Sequence, residues 1–76
     1  MLYNRVKEVR KERGMSVAEL ARRSKTSRQT IYKIEDKNAV PNGLSMLLIC
    51  EALGKEPKEI FFTKSVTHVE QNEKSA

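Results

Sequence analysis

Residues 16–36, SVAELARRSKTSRQTIYKIED, decide how this chain is read. Ser16 followed three positions later by Glu19 is a helix opening. The hydroxyl can accept a backbone N–H while the carboxylate reaches back to the start. Leu20 and Ala21 give that helix an inward edge to about Arg23, where Ser24-Lys25-Thr26 makes a turn. Ser27 then caps a second helix on which Ile31 and Ile34, three apart, share one face. Arg28, Gln29, Tyr32, Lys33 and Asp36 occupy the rest of its circumference. The spacing predicts two short helices about a tight turn, the second showing polar side chains to solvent.

Working outward, Asn4 is the expected cap of a first helix running to about Arg13, with Val6 and Val9 as its thin apolar stripe. Gly14 supplies the left-handed residue that commonly ends a helix. Residues 37–43 hold Asn38, Pro41, Asn42 and Gly43, all helix breakers, and are expected to form a loop. Residues 44–53 are the most apolar segment. Met46, Leu47, Ile49, Cys50 and Leu53 predict a central core helix, capped by Asn42 and stopped at Gly54. Pro57 suits the first turn of a short fifth helix over 58–61. Residues 1–62 are therefore expected to form one domain and residues 63–76 a tail. The tail opens with strand formers (Val66, Thr67, Val69) and ends polar and frayed.

Length and charge narrow the possible roles. A chain of 76 residues holds one domain and buries only about 60% of its unfolded surface. Residues 1–37 carry eleven Lys/Arg against five Asp/Glu, whereas residues 38–76 carry four against five. This asymmetry is expected of a front half that faces a polyanion. The lone Cys50 forms no intrachain disulfide and fits a reducing cytosol. No apolar run approaches the roughly 18 residues of a membrane span, and the N-terminus lacks the order of a signal peptide, so a cytoplasmic, nucleoid-associated protein is expected. Cys50 reads as a small core hydrophobe, and His68 stands without further metal-ligand types at suitable spacing. No nucleophile set or Gly-rich phosphate loop is present, so no enzyme, cofactor or metal is expected.

Bases in the DNA major groove offer paired donors and acceptors. Arg matches guanine and Gln matches adenine, each through two hydrogen bonds worth ~1–3 kcal/mol of discrimination. Such residues must stand at the N-terminal end of an exposed helix, with positive charge nearby for phosphates. Ser27-Arg28-Gln29-Thr30 supplies that opening, and Lys33 lies one turn on. Without further context the same side chains also fit a merely solvated helix face.

The order Arg10, Ser16, Leu20-Ala21, Ser27, Ile31, Ile34-Glu35, Pro41, Leu47, Ala52-Leu53-Gly54 and Ile60 resembles the Cro/C1-type, or xenobiotic-response-element, helix-turn-helix family of prokaryotic and phage transcriptional regulators. The likeness extends over residues 4–62. It implies an all-α, five-helix domain like the lambda repressor DNA-binding domain, with residues 27–36 as recognition helix. In that pattern Arg28, Gln29 and Lys33 read bases, while Thr30 and Tyr32 fall where phosphates or thymine methyls are touched. Ser27, Lys37, Asn38 and Arg5 are further expected phosphate contacts. The pattern also pairs Arg10 with Glu35, locking the recognition helix to the first helix.

Three positions depart from the family's habit. Lys25 stands where Gly is usual in the turn, Ser24 and Thr26 replace its apolar flanks, and Val17 replaces a phosphate-binding Gln, leaving only its backbone N–H.

The resemblance further implies a sequence-specific regulator of double-stranded DNA, acting as a repressor and homodimer on a near-palindromic operator. Ile60, Phe61 and Phe62 are the expected dimer contacts, with capping of the bundle as the alternative for Phe61. Residues 1–3 and 62–69 are candidates for a small antiparallel β-ribbon. A role in binding a different protein partner is the rival reading.

Overall fold

Val6 and Val9 of the first helix, Leu20 and Ala21 of the second, and Ile31 and Ile34 of the third meet in one core, closed by Ile49, Cys50, Leu53, Ile60 and Phe61. The computed structural model of the protein describes residues 2–63. In chain order its elements are β1 (Leu2–Asn4), α1 (Val6–Glu12), α2 (Val17–Arg23), α3 (Arg28–Lys37), α4 (Gly43–Leu53), α5 (Pro57–Ile60) and β2 (Phe61–Thr63). This is the five-helix, helix-turn-helix arrangement that the resemblance implies, with a two-stranded ribbon added. Fully burying an aliphatic side chain of this size contributes roughly 1.5–3 kcal/mol. The core residues therefore outweigh any single cap.

The helix ends follow the punctuation closely. Ser16, Ser27 and Asn42 each accept the backbone N–H three residues on, from Glu19, Thr30 and Ser45. The reciprocal half of the expected box at α2 does not form. The Glu19 carboxylate turns instead to Arg22 and Arg23. These hydrogen bonds, Arg23's first, hold it below the usual glutamate range. At α5, Glu59 does reach back to the Glu56 N–H.

Several expectations shift. Asn4 belongs to β1 rather than capping α1 directly, although its side-chain oxygen still accepts from the Val6 N–H at 3.0 Å. Lys37 lies inside α3 and Gly43 opens α4, so the loop between them is shorter. Phe61 leaves the helix: its extended backbone (φ −114°, ψ 129°) starts β2. Leu47 is 59% exposed rather than part of the core, because Ile49, Cys50 and Leu53 take the covered side of α4.

The ribbon pairs Leu2 with Thr63, Tyr3 with Phe62 and Asn4 with Phe61, antiparallel. It thus crosses the boundary expected at residue 62. The Tyr3 and Phe62 rings stack at 6.2 Å on one face. The Arg5 N–H donates to the Ile60 carbonyl at 2.8 Å, tying the start of α1 to the end of α5. The expected tail features at Val66, Thr67, His68 and Val69 lie outside the described residues. None of the described helices is long and apolar enough to cross a membrane.

Candidate nucleic-acid interface

The geometry of the turn is set by Lys25, whose φ of 57° is the left-handed conformation that Gly would adopt without strain. Its N–H donates to the Arg22 carbonyl and the Thr26 N–H to the Ala21 carbonyl, satisfying the end of α2. Ser24 is wholly buried, yet its hydroxyl donates to the Leu20 carbonyl at 2.7 Å and shares a 2.9 Å hydrogen bond with the Thr26 hydroxyl. A satisfied polar pair thus fills the place of the usual apolar flanks.

Behind α3, Ile31 and Ile34 are buried against the rest of the core. Arg10 clamps the helix from α1. Its Nε donates to one Glu35 oxygen at 2.7 Å and its Nη2 to the other at 3.2 Å, while Nη1 donates to the Met15 carbonyl at 2.8 Å. Both side chains are almost fully buried. The hydrogen bond to Glu35 raises the already high pKa of the guanidinium. A second clamp was not foreseen from sequence. The Asn4 amide donates to the Ile34 carbonyl at 2.8 Å and to the Asn38 side chain at 3.4 Å. Its partners lie 30 and 34 residues away, and no local pattern signals them. Asn38 itself ends α3 with a φ of 54°.

In front, Arg28, Gln29, Tyr32, Lys33 and Lys37 are exposed. The side chains of Arg28, Gln29, Lys33 and Lys37 make no hydrogen bond or ion pair with other described residues, and that of Lys25 in the turn makes none either. Most other cations are engaged: Arg5 with Glu8, Lys7 with Asp36, Arg22 and Arg23 with Glu19, Lys55 with Glu59, and Arg13 with the Leu53 carbonyl. The two acids of α3 are both countered from α1, Glu35 by Arg10 and Asp36 by Lys7 at 3.9 Å. What remains on the outer surface of the turn and α3 is a run of unpaired cations with one amide among them.

Other expected contacts stand differently. The Ser27 and Thr30 hydroxyls are 2.9 Å apart, so both are held by the cap. Val17 is half-buried against the core, with its N–H at the opening of α2. Arg5 is engaged by Glu8, whose carboxyl that hydrogen bond holds below its usual range. Ile60 has no exposed surface and Phe61 is 7% exposed. Both pack in this chain's own core. Phe62 is half-buried against Tyr3.

Cys50 is buried in α4, where loss of hydration pushes its thiol up from the ordinary value. Among the described residues, no group of three His, Cys, Asp or Glu could hold a metal ion.

Comparison with known proteins bears on residues 6–60, which match the family described as helix-turn-helix. That span runs from the first residue of α1 to the last of α5. An uncharacterized HTH-type transcriptional regulator of Bacillus subtilis (strain 168), YgzD, is 36% identical to the chain over 61 residues. The match covers 80% of this chain and 92% of that protein.

Proposed function

This chain belongs to the Cro/C1-type helix-turn-helix family of DNA-binding transcriptional regulators, and we propose that it is a repressor that reads a near-palindromic operator as a homodimer. The observation that carries this reading is the outward row on α3: Arg28, Gln29 and Lys33 exposed and with side chains unpartnered among the described residues, on a helix held from behind by the Arg10–Glu35 pair. Pre-oriented groups of this kind lose little freedom on meeting a base edge, and their hydrogen-bonding capacity is unspent.

In this reading Arg28 and Gln29 meet bases from the first turn of α3, Lys33 adds a contact one turn on, and the Thr30 methyl packs beside them. Lys37 and Tyr32 contact phosphates further along, and the Val17 and Ser27 N–H groups do so at the openings of α2 and α3. Arg5 and Asn38 are secondary contacts, because Glu8 and Asn4 already engage them. Residues 1–62 carry the DNA-binding function and residues 63–76 form a tail to it. Repression follows from occupancy: a dimer seated across a promoter excludes polymerase, and this role places the protein on cytoplasmic DNA.

Selecting binding sites from a random duplex pool tests the proposal. The expected outcome is a two-fold symmetric consensus with half-sites about 34 Å apart, centre to centre. Arg28→Ala and Gln29→Ala are each expected to relax preference at one position per half-site, by ~1–3 kcal/mol. Equal affinity for selected and random duplexes in a titration would overturn the reading.

A further inference from the structure

The side chain of Asn4 serves two helices at once. Its oxygen accepts from the Val6 N–H at 3.0 Å, at the opening of α1. Its nitrogen donates to the Ile34 carbonyl at 2.8 Å and to the Asn38 side-chain oxygen at 3.4 Å. Those two partners bracket Lys37 at the end of α3. The anchor behind the carboxamide is firm. Asn4 is paired with Phe61 in the ribbon, the neighbouring Tyr3 stacks on Phe62, and the Arg5 N–H donates to the Ile60 carbonyl at 2.8 Å. Asn38, left-handed at a φ of 54°, then turns the chain out of α3 toward α4.

We infer that Asn4 is a positioning residue for duplex binding: its carboxamide fixes how the C-terminal half of α3 presents Lys33 and Lys37 to DNA. The inference rests on the DNA-reading role of α3 proposed above. The two ends of α3 are held by different means. Its first turn is fixed by the Ser27 cap, by the turn in which the Thr26 N–H donates to the Ala21 carbonyl, and by buried Ile31. Its last turn is held by Arg10 on Glu35 and by Asn4 on Ile34 and Asn38. Arg10 grips α3 through a long side chain, whose torsions leave the helix some freedom to roll. Asn4 grips the main chain itself, so no torsion of an α3 side chain lies between that bond and the helix axis. A side-chain grip and a main-chain grip on adjacent residues together fix the roll. Pre-orientation of this kind spares the freedom that Lys33 and Lys37 would otherwise lose on binding.

Asn4→Ser separates the two halves of the carboxamide. Serine keeps an acceptor for the Val6 N–H, as short hydroxyl side chains do two residues ahead of an amide, but is too short to hold the Ile34 carbonyl. Duplex titrations of the full chain, at a temperature where melting shows every variant folded, test the inference. Asn4→Ser is expected to weaken binding roughly two- to tenfold, the equivalent of one hydrogen bond. In a Lys37→Ala background that cost is expected to fall below about twofold, because the contact it positions is already gone, and in an Arg28→Ala background to persist in full. A role in fold stability alone would move the melting point and leave both backgrounds alike. If Asn4→Ser does not fold, Asn4→Asp is measured, which keeps the length and the acceptor but turns a carboxylate toward the Ile34 carbonyl, with the same pattern expected. An equal cost in both backgrounds, or no cost in the wild-type chain, overturns the inference.

The same titrations separate the two levels. If selected and random duplexes bind wild type equally but the Asn4 cost still depends on Lys37, operator reading falls and the positioning role stands. If preference is intact and the cost is the same in both backgrounds, the reverse holds.

Discussion

Arg10 and Glu35 show what a single pair of residues does here. Their two-pronged contact is almost fully removed from water, so each charge depends on the other for the hydration it has lost. Arg10→Ala or Glu35→Ala is expected to cost ~3–5 kcal/mol in urea unfolding, because it strands a buried charge. Small domains have only about 5–15 kcal/mol in total, so either change approaches global unfolding. Replacing both at once, Arg10→Met with Glu35→Leu, is expected to cost markedly less. A double-variant loss equal to the sum of the two single losses would show that the pair is not coupled. The pair was legible in the sequence only through family resemblance, since 25 residues separate the partners. Asn4 and Arg13, which hold the Ile34 and Leu53 carbonyls, were legible in no way. A polar side chain near a helix end has many possible long-range partners, and composition does not choose among them.

At the level of elements, the turn between α2 and α3 is the place where local preference and required geometry disagree. Lys25 adopts a left-handed conformation that costs an ordinary L-residue ~1–2 kcal/mol. Glycine avoids that cost but brings a more flexible unfolded chain, which returns ~0.4–1 kcal/mol of it. Lys25→Gly is therefore expected to stabilise the fold by ~0.5–1 kcal/mol, read as a higher urea midpoint with unchanged slope. A lower midpoint would mean that the Lys25 side chain makes a compensating contact. The caps at Ser16, Ser27 and Asn42 were readable in advance, because a cap joins residues three apart. The side chain of Glu19 was not, since it could satisfy either its own N-cap or two arginines one turn on. The carboxylate chose the charged partners, whose hydrogen bonds are stronger than one to a backbone amide.

The molecule as a whole is organised by where its unpaired charge lies. Among the described residues, unpaired cations run from Lys25 through Lys37, with Lys11 and Lys58 apart from them, while α1 supplies the cations that cancel the acids of α3. A surface of this kind exchanges condensed counterions for phosphates, so binding is expected to weaken steeply with salt, by roughly 0.9 in log–log slope for each phosphate neutralised. Lys37→Ala is expected to lower that slope by about 1 and to weaken all duplexes alike. An unchanged slope in a salt series would remove Lys37 from the phosphate contacts. The same scale separates what was legible from what was not. Helix number, caps, stops and the outward row of Arg28, Gln29 and Lys33 follow from the sequence by itself, because each depends on neighbours three or four residues apart. Only the tertiary structure decided that Ile60 and Phe61 go inside while Leu44 and Leu47 stay outside. Hydrophobicity drives burial without direction. On a helix apolar all round, the covered side is set by which distant elements arrive against it.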